Sequence, residues 1–190
     1  MLAIGERINT SIPSVGPRVE ARDAEFIRDI ARKQVEAGAG MIDVNAGTFL
    51  QQEPEVLRWI VELVQEAVDV PLCIDSPNPL AIEAALKVCK AKPLVSSLSA
   101  EKARYEGILP LVKAYGTSVV GLCMDENGVP ATAEGRVQVA RRLVEMLTAD
   151  GINEEDIYLD VMVRPVSVEA KDGAVVIDTI RAIKEAFPKV

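Results

Sequence analysis

The sequence predicts an α/β fold, a (β/α)8 barrel with about six βα units present in residues 1–190. Three observations carry this. Short apolar runs alternate six times with helical patterns, which implies a parallel sheet. The turn after the first run, "GERINTSIPSVG", has no Gly-x-Gly-x-x-Gly, the phosphate turn of a doubly wound dinucleotide fold. Nearly every run ends in a hydrogen-bonding side chain, and barrels place their chemistry at the C-terminal ends of strands. A barrel usually takes about 250 residues. This chain has 190 and stops at "IKEAFPKV", where a sixth helix closes and a seventh strand is due. The expectation is one barrel domain over 1–190 that lacks its last two units.

The elements follow in order. A strand at 2–5 leads to Glu6, Arg7 and Asn9. Asp23 caps a helix with Phe26, Ile27, Ile30, Ala31 and Val35 on one stripe, and Gly38 closes it. The second strand, 41–46, presents Asp43 and Asn45. Pro54 suits the first turn of a helix carrying Leu57, Ile60, Val61, Val64 and Val68. The third strand, 71–75, ends in Asp75 and Ser76. Asn78-Pro79 then caps and opens a helix to about Cys89. The fourth strand, 94–98, brings Ser96, Ser97 and Ser99, and Ser99 caps a helix to Tyr115 that Pro110 should kink or divide. The fifth strand, 118–124, leads to Asp125 and Asn127, and a helix over 134–149 follows. The sixth, 157–163, carries Asp160, and a helix over 178–186 completes the set.

Composition narrows the function. The chain is 49% hydrophobic and 26% charged, as expected of a globular domain with a sizeable core. No apolar run approaches the roughly 20 residues of a membrane span, and "MLAIGERIN" is not a secretory signal. The net charge of −8 and scattered basic residues argue against nucleic acid. Cys73, Cys89 and Cys123 are far apart, and there is no histidine, so neither a disulfide framework nor a bound metal is expected. A cytoplasmic protein with reduced thiols follows. Proton transfer must use carboxylates, amides, water or the substrate.

Carboxylates and amides at strand ends suit a planar heterocycle with several N–H donors and carbonyl acceptors, such as a pterin. A sugar, or a metal held through water, stays open on this ground alone. Smaller features read as structural. Glu6 and Arg7 are expected to form an ion pair at the rim, and Cys73 and Cys123 to be core residues. Trp59 is expected to pack on an outer face. Glu134, Arg136, Arg141, Arg142 and Glu145 read as a solvated helix face.

Six stretches at the strand ends add a resemblance. "GERIN" (5–9), "DVNAG" (43–47), "LCIDS" (72–76), "SLSAE" (97–101), "GLCMDENGVP" (121–130) and "YLDVMVRP" (158–165) resemble methyltetrahydrofolate:corrinoid (iron-sulfur) protein methyltransferases. These belong to the pterin-binding TIM-barrel family, with the folate domain of cobalamin-dependent methionine synthase and dihydropteroate synthase. The resemblance runs along all 190 residues. It implies methyl transfer between N5 of 5-methyltetrahydrofolate and the cobalt of a corrinoid protein, within one-carbon metabolism. It implies that Asp75 and Asp160 are the catalytic, pterin-holding acids. Asp43, Asn45, Ser96, Glu6 and Asn9 complete the pterin-binding set. The family usually carries asparagine where Ser96 stands and proline where Val161 stands, and its strand-seven asparagine has no counterpart before Val190. Cobalamin would sit on a separate partner protein, and a homodimer is implied. The alternatives are a dihydropteroate synthase-like enzyme or a non-catalytic folate-binding fragment. Against the first, "INTSIPSVG" is not Thr-Pro-Asp-Ser-Phe, and "DVNAG" lacks Gly-Gly-Glu-Ser.

Overall fold

A computed structural model describes residues 2–164, 167, 169 and 171–190. Six strands alternate with helices, and the chain divides into two compact units.

The first unit spans Met1–Ser96 with Tyr115–Thr117. It holds β1 (Ile4–Asn9), α1 (Gly16–Glu20), α2 (Ala24–Glu36), β2 (Met41–Asn45), a 3-10 segment (Gly47–Gln52), α3 (Glu53–Ala67), β3 (Leu72–Asp75), α4 (Pro79–Leu86) and the start of β4 (Leu94–Ser99). The strands pair in parallel in the order β1-β2-β3-β4. Asn9 pairs with Asn45, Asp43 with Cys73, and Asp75 with Ser96. Parallel pairing therefore gathers the polar strand ends along one edge. Ile8, Ile42, Val44, Leu72, Ile74, Leu94 and Val95 are buried from the strands, and Val56, Leu57, Ile60, Val61 and Val64 from α3.

Two of the expected caps form. Asp23 accepts the Phe26 N–H at 3.2 Å, and Asn78 accepts that of Leu80 at 3.1 Å. Four elements differ. β1 begins at Ile4 and runs to Asn9, with an irregularity between Gly5 and Ile8, so Glu6 and Asn9 lie within the strand. The short α1 and the 3-10 segment are additional, and α4 stops at Leu86.

The second unit comprises Ser97–Ala114 and Ser118–Val190. It contains the end of β4, α5 (Lys102–Tyr115), β5 (Ser118–Leu122), α6 (Ala133–Ala149), β6 (Ile157–Asp160) and α7 (Asp172–Ala186). β5 pairs in parallel with β6, from Val119 opposite Ile157 to Leu122 opposite Asp160. α5 runs through Pro110 as one helix rather than dividing there. Thr132 caps α6, accepting the Gly135 N–H at 3.1 Å. β6 ends at Asp160, earlier than expected, because the Asp160 carboxylate takes the Met162 N–H at 2.7 Å and Met162 turns to φ 58°. α7 starts at Asp172, six residues before the expected 178. Among the described residues no helix is long and apolar enough to cross a membrane.

Candidate functional site

Side chains alternate across a strand, so Asp43 and Asn45 share one face of β2, and Cys73 and Asp75 share one face of β3. The register sets Asp43 opposite Cys73 and Asp75 opposite Ser96, so these side chains lie on a common face of the first unit. Four of the predicted site residues, Asp43, Asn45, Asp75 and Ser96, are thus brought together.

Asn45 links two strands. Its Oδ1 accepts the Gly47 N–H at 2.9 Å, which orients the amide and leaves Nδ2 to donate to Asp75 Oδ2 at 2.8 Å. The same turn is braced from β1, where Thr10 N–H donates to the Asn45 carbonyl and Thr10 Oγ1 accepts the Thr48 N–H.

Asp43 is 7% exposed. Burial pushes its carboxyl up to about 7; a hydrogen bond from the Cys73 thiol opposes this, and the charges of Asp75 and Glu6 add to it. Burial, then the charge of Asp43, pushes the Cys73 thiol far up, so Cys73 is a buried, protonated donor. Cys73 and Cys123 are both core residues.

Glu6 is exposed on β1 and acts on the site through its charge on Asp43. Among the described residues it forms no ion pair with Arg7. The Arg7 N–H donates instead to Gln34 Oε1 on α2, and its side chain is exposed. Asn9 stands at the end of β1, where its Oδ1 accepts both the N–H and the hydroxyl of Ser11. Asp160 lies in the second unit, exposed at the end of β6, with Oδ1 taking the Met162 N–H. Among the described residues no group of three or more Cys, Asp or Glu is placed to hold a metal ion.

Two networks escaped the sequence reading. Glu53, at the start of α3, is 4% exposed and bonds to Ser76 and Asn78, just after Asp75. Arg136 is not on a solvated face: it is fully buried. Its guanidinium donates to the carbonyls of Pro130, Val161 and Met162 and pairs with the buried Asp172, which also binds Arg164. The N–H and guanidinium of Arg164 hold the Asp172 carboxyl down to about 2, against its burial, and Arg136 adds to this. The spacing Arg136, Ala140, Leu143, Val144, Leu147 is the signal that was available, since it puts Arg136 on the apolar stripe. Trp59 packs on an outer face, under the Arg22 guanidinium.

A family model described as "Pterin binding enzyme" matches residues 5–189. The chain belongs to the pterin-binding enzyme family. Among curated members, it is 38% identical over 192 aligned residues to the methylcorrinoid:tetrahydrofolate methyltransferase of Eubacterium limosum, covering all of this chain and 71% of that protein. It is 27% identical to the methionine synthase of Mycobacterium tuberculosis, of whose length it spans 17%. Among solved structures, Yersinia pestis DHPS with a pterine-sulfa conjugate superposes with a TM-score of 0.64 at 18% identity, over 97% of this chain and 68% of that one. That likeness concerns the fold. The six parallel βα units of this pterin-binding family member follow the fold of a pterin-binding TIM barrel.

Proposed function

We propose that this chain is a methyltransferase that moves a methyl group between N5 of tetrahydrofolate and the cobalt of a corrinoid carried by a separate protein. The observation that carries the reading is the 38% identity, over the whole chain, to a methylcorrinoid:tetrahydrofolate methyltransferase. The site chemistry supports it. Asp75, braced by Asn45, is a fixed acceptor for the N–H donors of a pterin. Ser96, across from Asp75, offers a hydroxyl to the ring. Glu6 adds negative charge and Asn9 shapes the first turn; the family resemblance alone carries Asp160 as the second acid.

In the direction given by the name of the Eubacterium protein, N5 attacks the methyl carbon. The C–N5 bond forms, the Co–C bond breaks with its electron pair left on the metal, and the N5 proton leaves. In reverse, N5 must hold a proton, or its leaving group is an amide-like anion. Both directions need a group that exchanges a proton near neutral pH. Asp43, buried on the same face as Asp75 and pushed up to about 7, has a carboxyl in that range. Holding the ring in a fixed orientation contributes several kcal/mol more.

The test is calorimetric titration of 5-methyltetrahydrofolate and of tetrahydrofolate into the chain, followed by assay with free methylcobalamin. Saturable binding that Asp75→Asn and Asp160→Asn each weaken at least tenfold supports the reading. Binding unaffected by both overturns it. The resemblance also carries a cytoplasmic location and a homodimer, the latter checked by light scattering.

A further inference from the structure

A buried carboxylate is costly unless its oxygens are hydrogen-bonded, so its partners show what it holds. Glu53 is the first residue of α3, on the segment that follows β2. Its Oε1 accepts the Ser76 hydroxyl at 2.6 Å and its Oε2 the Asn78 amide at 3.2 Å. Ser76 is fully buried. Its N–H donates to the Ser96 carbonyl at 3.0 Å, and its Oγ accepts the Asn78 N–H at 3.0 Å. Asn78 Oδ1 then caps α4 at Leu80. Every polar group named in the turn from Ser76 to Asn78 is thus fixed, and Glu53 fixes two of them. That turn begins at the residue after Asp75, whose carboxylate Asn45 holds from β2.

We propose that Glu53 is the positioning residue for Asp75: by clamping Ser76 and Asn78 it sets the exit of β3, and so the direction in which the Asp75 carboxylate meets the ligand. The inference rests on the reading that Asp75 binds the pterin. Glu53 acts through Ser76 and Asn78. Glutamine is a poor substitute, because its amide nitrogen would face the Asn78 amide nitrogen, whose oxygen is committed to the Leu80 N–H.

The test uses the full chain as wild type, Glu53→Gln, Ser76→Ala, the double variant and Asp75→Asn. For each, 5-methyltetrahydrofolate affinity is measured by calorimetry, and the urea midpoint separately. The expected result is an affinity loss of about tenfold in Glu53→Gln and in Ser76→Ala. The double variant should lose less than the two single losses combined, because both changes release one clamp on the same turn. Ser76→Ala releases that clamp from its other end, so the test does not hang on one variant folding. A merely structural role would lower the midpoint and leave the affinity of the folded protein within about twofold of wild type. That result, with Asp75→Asn binding abolished, overturns the positioning role and leaves the pterin reading intact. Unchanged binding in Asp75→Asn overturns both.

Discussion

The amide of Asn45 spans the gap between two strands, with Nδ2 2.8 Å from Asp75 Oδ2 and Oδ1 2.9 Å from the Gly47 nitrogen. Asn45→Asp would replace that donor with a second carboxylate. Like charges at this distance push one carboxyl up, so Asp75 should be partly protonated near neutral pH. Calorimetry should show pterin affinity at pH 7 reduced by at least about tenfold, and falling further on acidification as Asp75 takes up its proton. Asn45→Ala, which removes the donor without adding charge, should lose about threefold to tenfold with little pH dependence.

Asp43 links function to stability. Its folded pKa of about 7 lies above the ordinary carboxylate value, so between pH 4 and 7 the folded state binds more protons than the unfolded one. Stability therefore falls as pH rises through that window and is flat above it. Asp43→Asn is neutral throughout and escapes this loss. Urea unfolding should show the variant's stability relative to wild type improving by on the order of 2–4 kcal/mol from pH 4 to pH 8. Methyl transfer should fall in the same variant. Equal stability differences at both pH values would contradict the assignment.

The pairing of Asp172 with Arg164 and Arg136 has the opposite pH signature. Its carboxyl is held down to about 2, so the pairing contributes fully above about pH 4 and is lost as pH falls through 2. In urea midpoints, wild type and Asp172→Asn should differ most at neutral pH and converge toward pH 2. Arg136→Met, which leaves a buried carboxylate short of a partner, should cost on the order of 3 kcal/mol at pH 7.

Leu50 is 75% exposed and sits at φ 50°, ψ −108°, a backbone conformation that suits glycine. Leu50→Gly should raise thermal stability by about 1 kcal/mol, because relief of backbone strain outweighs the added freedom of the unfolded chain. A lowered melting temperature would show that the leucine side chain makes contacts that matter.

Much of the fold was legible because its signals are local. Asp23 and Asn78 cap the helices they precede, Pro54 sits in a first turn, and the apolar runs fall in the strands. β1 was misplaced because its exposed Glu6 and Arg7 and the irregularity before Ile8 interrupt the apolar run that marks a strand. The convergence of Asp43, Asn45, Asp75 and Ser96 followed from strand ends aligned in a parallel sheet. What stayed hidden depends on distant partners. Glu53 looks like an ordinary first-turn acid until Ser76, 23 residues later, is seen to bond to it. Arg136 read as solvated because charge outweighed its place on the apolar stripe, and its partners are loop carbonyls and one distant aspartate.

The separation of Arg136 from Asp172 also sets a clock on synthesis. The two residues are 36 positions apart, and the arginine is made first. At roughly 5–20 residues per second, the guanidinium waits about 2–7 seconds for its counter-ion to be polymerised. Until then, burying it would strand an unpaired charge, so water must keep hold of it. Closure of the second unit around Arg136 is thus deferred until α7 is available, and a released chain ending just before Asp172 should keep that unit open to protease.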